Sequence, residues 1–290
     1  MIKQSSFESI AELQMDRLQK SDKGYQRDLL TLLNLNLPNH ALIITGIRRC
    51  GKSTLLRQLI DRVSEKVFFL NFDTPGLFNF EIDDFELVDN QIKATKAKSL
   101  FFDEIQVIKG WELYVRQKLD EGYHIVVTGS NASLMSRELG TKLTGRHITR
   151  ELFPFSYYEY CGYFNAEPDE SSLTGYMASG GFPEFLKTGN PDIHAALLDD
   201  LIYRDIAVRH NIRDVKSLKQ LLTFLAANVG NLVSATKLTR ILAIKSAATV
   251  MEYFSHFEQS YLVQFVPKFS WSYKVQRSEE RRGGKECRSR

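Results

Sequence analysis

Apolar positions along the first 150 residues change period repeatedly, and each change marks an element. Over residues 7–35, Ile10, Leu13, Met15 and Leu18, then Leu29, Leu30, Leu32 and Leu33, fall at helical spacing. Pro38-Asn39-His40 ends that segment. Ala41–Thr45 is instead a short unbroken apolar run, as in a strand buried on both faces. Helical spacing returns at Leu55, Leu56, Leu59, Ile60 and Val63. Val67–Asn71, residues 99–102 and residues 125–128 predict three more strands, and residues 147–152 a fifth. Trp111, Tyr114, Val115 and Leu119 mark a helix between the third and fourth. Strands alternating with helices argue for an α/β fold, a parallel sheet with helices on both faces.

Past Pro154 the strand signals fade. Residues 157–163, 173–179 and 193–206 read as helices, interrupted by Gly180-Gly181-Phe182-Pro183. Residues 218–227 are apolar-periodic, Ser234 can cap Ala235–Leu242, and Ser246 can cap Ala247–Gln259. Residues 261–266 are rich in β-formers, and Pro267-Lys268 is a turn before 269–273. Helix, helix, helix, hairpin is the order of a winged helix-turn-helix. The expected organisation is a helical segment at 1–35, an α/β core at 36–153, a helical lid at 154–213 and a winged helix at 214–276.

Charge changes the reading of the C-terminus. Of 38 basic and 35 acidic residues, six and three fall within 277–290, so the remainder is formally neutral. That segment has no apolar period and closely resembles a translated sequencing-adapter read-through. It is set aside as a non-native tail, with the natural protein expected to continue beyond Gln276. The alternative is a natural basic tail that binds nucleic acid. Hydrophobic residues at 43% and charged residues at 25% describe a globular protein. No apolar run reaches the ~18 residues of a membrane helix. The polar N-terminus lacks a signal-peptide core, and Cys50, Cys161 and Cys287 have no zinc spacing. These features predict a cytoplasmic protein with no membrane association.

Gly46-Ile47-Arg48-Arg49-Cys50-Gly51-Lys52-Ser53 fits a phosphate-cradling loop, G-x4-G-K-[ST], between a strand and a helix. The glycines let successive backbone N–H groups face a phosphate, and the next helix, through Thr54, turns its positive end to it. Lys52 adds charge for the terminal phosphates, and the Ser53 hydroxyl is a Mg²⁺ ligand. Arg48 and Arg49 add charge near the phosphates or pair with acids. Cys50, between cations and a helix N-terminus, has surroundings that lower a thiol pKa; the plainer reading is a small filler. Asp103-Glu104 ends the third predicted strand. Asp103 can hold Mg²⁺, and Glu104 is placed to polarise an attacking water. If the fourth strand lies between those carrying the loop and Asp103, its tip, with Thr128 and Asn131, faces the γ-phosphate. The ordinary reading of Gly129-Ser130-Asn131 is a turn.

In this order, GIRRCGKST, LFFDEIQ, TGSNASL, LTGRHITRELFPFSYYEY and GGFPEFL resemble prokaryotic AAA-type ATPases, specifically the subfamily with an AAA domain followed by a domain of unknown function. The likeness spans residues 41–276. It implies a five-stranded sheet of order 5-1-4-3-2, a helical lid, a winged helix, and ATP with Mg²⁺ as ligands. It adds Arg146 as an arginine near the γ-phosphate, acting within the chain or on a neighbour, and Pro183 as a lid residue against adenine. Family chains continue into a nuclease-like α/β region.

Two functions are weighed. The first is a Mg²⁺-dependent ATPase whose lid and winged helix move between ATP and ADP states, with a protein partner or self-association as candidate interactions and the thing switched not named by the sequence. The second is a DNA-binding regulator that uses the nucleotide as a structural ligand. Lys237, Arg240, Lys245, Lys268 and Lys274 supply a modest basic set for that role. The aromatic run from Phe153 to Tyr160 lacks interleaved basic residues, so it reads as lid packing rather than base stacking.

Overall fold

The computed structural model describes residues 2–35, 37–130, 142–267 and 280–283. The chain divides into two units, Met1–Asn190 and Pro191–Arg290, and each has its own core.

The first unit is built on five parallel strands: β1 (Ala41–Thr45), β2 (Val67–Asn71), β3 (Ser99–Asp103), β4 (His124–Gly129) and β5 (His147–Glu151). Their order is β2-β3-β4-β1-β5. This is the expected 5-1-4-3-2 read from the other edge. Every residue of β1 and β3 is buried, which is why their apolar runs show no alternation. Each buried Leu, Ile or Phe contributes roughly 1.5–3 kcal/mol of transfer free energy. The helices α3 (Lys52–Ile60), α4 (Phe85–Thr95) and α5 (Trp111–Asp120) alternate with these strands. Phe85 of α4 stacks on Tyr114 of α5 with ring centroids 4.0 Å apart.

The N-terminal helix differs from expectation. It does not run to residue 35: α1 is Gln4–Lys20, and α2 is a single turn, Leu29–Leu32. Asp22 Oδ1 accepts from the Gly24 amide at 2.9 Å, a local turn that competes with helix. Gln14 of α1 bonds both backbone groups of Asn71, its Oε1 accepting from N at 2.7 Å and its Nε2 donating to O at 3.0 Å. Edge strand β2 is thereby partly covered.

After β5 come α6 (Tyr157–Phe164), α7 (Glu170–Ser179) and α8 (Pro183–Thr188). Ser156 and Glu159 close a reciprocal capping box on α6, and Asp169 and Ser172 do so on α7.

In the second unit, α9 (Asp192–Asp199) runs on into a wider π-wound stretch, Asp200–Val208. Then follow α10 (Val215–Ala227), β6 (Leu232–Ser234), α11 (Ala235–Leu242), α12 (Ala247–Gln259), β7 (Phe265–Pro267) and β8 (Glu280–Gly283). Ser246 caps α12 by accepting from the Thr249 amide at 3.1 Å. Ile206, Leu218, Leu221, Val250, Phe254 and Phe257 form the centre of its core.

The first strand of the expected hairpin is shorter than predicted: β7 begins only at Phe265, and among the described residues it pairs with β8, in an antiparallel sheet of order β6-β8-β7. β8 lies in the segment set aside as a tail; a ladder is made by main-chain groups and needs no apolar pattern. Residues 269–273 lie outside the described residues. Among the described residues, no helix is long and apolar enough to cross a membrane.

Candidate nucleotide site

The loop after β1 is shaped by what only glycine permits. A Cβ on Gly46 would stand 2.0 Å from the carbonyl oxygen of Leu152, whose own amide bonds the Thr45 carbonyl. Gly51 has φ +102° and immediately precedes α3, so its freedom lets the chain turn into that helix. Cys50 is fully buried beneath the loop. Burial pushes its thiol above the usual value, outweighing the attraction of Lys52 and Arg27. The nearby cations therefore do not acidify the thiol, and its burial fits the filler reading.

Lys52 opens α3 and is buried, with Nζ donating to the carbonyls of Gly46 and Ile47 at 3.1 Å each. The same Nζ lies 3.7 Å from Glu104 Oε1. Ser53 Oγ donates to Asp103 Oδ2 at 2.7 Å. Asn71, at the end of β2, donates to that oxygen at 2.9 Å, and the Thr128 hydroxyl donates to Oδ1. Four strands meet here because their C-terminal ends lie along one edge of the parallel sheet.

Two adjacent carboxylates titrate in opposite directions. Burial, reinforced by the charge of Glu104, raises Asp103 above the ordinary carboxylate value against the pull of Thr128, Ser53 and Lys52. Burial also raises Glu104, but Lys52 and hydrogen bonds from Gln106 and Ser130 outweigh it and hold the group below its usual value. Glu104 adopts a left-handed backbone, φ 54° and ψ 37°.

Lys52, Ser53, Asn71, Asp103 and Glu104 line a cleft of about 840 Å³ that also receives Arg48, Arg49, Thr54 and Pro183. Arg49 pairs with Glu184 of α8 at 3.3 Å, and Arg48 lies 3.9 Å from Asp73. The cleft gathers residues that the sequence reading missed. Tyr25, Phe155 and Tyr163 make a ring cluster on one wall, with centroids 5.5–6.1 Å apart. Arg27 sits beneath it. Its Nε donates to Glu159 Oε1 at 2.8 Å, and its other nitrogens donate to the carbonyls of Cys50 at 2.9 Å and Phe153 at 2.7 Å. Two signals pointed this way: the Ser21, Asp22 and Gly24 turn residues inside the supposed long helix, and the Ser156-x-x-Glu159 capping pattern.

Arg146 is not brought to the site within one chain. Arg146 precedes β5, and its carbonyl accepts from the Ala41 amide at the start of β1. The loop leaves the opposite end of β1, five residues on and roughly 15 Å away at strand rise. Arg146 pairs instead with Asp120 at 2.6 Å, so within one chain it stands apart from the phosphate loop. Asn131 lies outside the described residues. β4 does lie between β1 and β3, as its proposed role requires.

Sheet order, glycine-bracketed loop and acidic pair together define a nucleotide-binding α/β domain of the AAA type. Residues 38–161 match the family model of an AAA domain, and residues 170–283 match that of a domain of unknown function. The chain thus carries an AAA domain followed by this domain of unknown function. It is similar to an uncharacterized protein of Methanocaldococcus jannaschii, 31% identical over 91% of this chain and 64% of that one. It is similar also to an uncharacterized protein of Haemophilus influenzae, 32% identical over 76% of this chain and 60% of that one. The chain thus spans less than two thirds of these relatives' length.

Proposed function

We propose that the first unit binds ATP with Mg²⁺ and hydrolyses it, acting as a nucleotide-driven switch. The observation that carries this reading is the convergence, in one cleft, of Lys52 and Ser53 from the loop with Asp103 and Glu104 from the end of β3. A hydroxyl and a carboxylate are hard oxygen donors, so Ser53 and Asp103 suit Mg²⁺, which is usually held by one or two protein groups together with substrate phosphates. When bound, the metal would neutralise charge on the β- and γ-phosphate oxygens.

The chain's own groups do the rest. Gly46 and Gly51 keep the loop amides open to phosphate, and α3 turns its positive end toward it. Lys52 exchanges two loop carbonyls for phosphate oxygens. Glu104 stays ionised and accepts a proton from the attacking water. Pro183 and the Tyr25, Phe155 and Tyr163 rings offer an apolar wall for the base. A phosphate competing with Glu184 for Arg49 would loosen α8, which gives the switch a first moving part. Asn131 and Thr128 are placed in the reading as sensors of the γ-phosphate, and Arg146 as an arginine offered to a neighbouring chain.

The second unit is read as a winged helix, from three helices and a small antiparallel sheet. The rival function makes that unit a DNA reader and the nucleotide a structural ligand. Exposed Lys237, Arg240 and Lys245 are its basis, while His256 of α12 is buried and withdrawn from any such surface. Phosphate release from ATP and Mg²⁺, measured with and without duplex DNA, separates the two. Turnover without DNA supports the switch; salt-sensitive DNA binding without turnover supports the rival.

A further inference from the structure

Glu104 is held in an unusual way. A non-glycine residue in the left-handed region is strained and persists where its surroundings over-determine it. Here the surroundings are specific. The Glu104 amide donates to Thr128 Oγ1 at 3.1 Å. Its Oε2 accepts from the Ser130 amide at 3.2 Å and from the Gln106 side-chain Nε2. Its Oε1 is the oxygen nearer Lys52. One carboxylate oxygen is thus fastened to the β4 tip, and the other faces the phosphate lysine.

Gln106 is half satisfied. Its Nε2 also lies 3.5 Å from Ser130 Oγ, while its Oε1 is buried with no hydrogen-bond partner among the described residues. A flipped amide would set that oxygen against a carboxylate, so the observed orientation is the favourable one. An orphaned buried acceptor is costly, a poor arrangement if stability were the purpose of the side chain. What the side chain does offer is its Nε2, which holds one oxygen of the Glu104 carboxylate.

We infer that Gln106 is a positioning residue for hydrolysis: its Nε2 holds one carboxylate oxygen of Glu104, so that the other faces Lys52 and the attacking water. This rests on the ATPase reading. In the step, the water oxygen forms a bond to the γ-phosphorus, and the bond from that phosphorus to the bridging oxygen breaks. The electron pair leaves on ADP, and the water proton passes to Glu104.

The test compares Gln106→Leu and the near-isosteric Gln106→Glu with the unaltered protein, measuring kcat, KM and binding of a non-hydrolysable ATP analogue. Both variants should lose kcat by roughly 10–100-fold, the range found when a supporting hydrogen bond to a functional group is removed. KM and analogue affinity should stay within about twofold, a split that a general loss of structure would not produce. Unchanged kcat in either folded variant overturns the inference and leaves the ATPase reading intact. Parallel losses of affinity and kcat in both variants also overturn it, assigning Gln106 to structure. Absence of turnover in the unaltered protein removes the ATPase reading, and this inference with it.

Discussion

Removing the carboxylate of Glu159 should destabilise the first unit far more than its single charge suggests. Arg27 and Glu159 are 4% and 5% exposed in their side chains. Glu159 accepts two bonds from Arg27, at 2.8 and 3.1 Å, and one each from the amides of Asp28 and Ser156, both at 2.9 Å. Glu159→Ala therefore strands a buried guanidinium and removes the side-chain half of the α6 capping box, leaving the Ser156 cap. Breaking a buried pair from one side costs about 3–5 kcal/mol. At roughly 2–4 °C per kcal/mol for a unit of this size, the unfolding midpoint should fall by about 6–20 °C. The double variant Arg27→Met with Glu159→Leu should recover about half of that. It removes the stranded charge but also the bonds to the Cys50 and Phe153 carbonyls. Thermal unfolding followed by circular dichroism reads both. A loss below about 1 kcal/mol, the range of exposed pairs, would refute the reasoning. So would a double variant no more stable than the single one.

Gly46→Ala should abolish nucleotide binding, because its Cβ would meet the Leu152 carbonyl; calorimetric titration with ATP and Mg²⁺ checks this. In the second unit, His210 and His256 stack with ring centroids 3.7 Å apart. Burial, then the charges of His256 and Arg209, push His210 down to about 4. Its unfolded value is near 6.5, so the unfolded chain binds more protons in between. The neutral form's stability is complete above that value and is lost as pH falls toward 4. The loss is roughly 1–2 kcal/mol after allowance for partial exposure. Denaturant unfolding from pH 7 to pH 4.5 should show it, and His210→Gln should flatten it.

Much of this architecture was legible because its cause is local. β1 and β3 are buried on both faces, so their residues cannot alternate, and an unbroken apolar run between polar turns has few other readings. Ala235–Leu242 and Ala247–Gln259 were bounded by residues that favour helix starts, although only Ser246 makes its side-chain cap bond. The loop and the acidic pair were legible because phosphate chemistry restricts which residues serve. What was not legible depends on partners far along the chain. Arg27 and Glu159 are 132 residues apart, and Asn71 and Asp103 are 32 apart. Periodicity assigns a face but not the residue across from it. Apolar spacing before and after the Asp22 turn looked like one helix, because a local side-chain bond leaves the count of apolar residues unchanged. Arg146 was placed by resemblance alone, and sequence position did not reveal that its strand begins at the far end of the sheet.

In the proposed reaction Glu104 activates water, separate from the groups that grip the nucleotide. Glu104→Gln keeps the shape of the side chain and removes its capacity to take a proton. The decisive measurement is ATP binding and phosphate release for this variant beside the unaltered protein, in the same Mg²⁺ buffer. The account predicts retained binding with turnover reduced by at least about 100-fold. Equal turnover in the two proteins would contradict it.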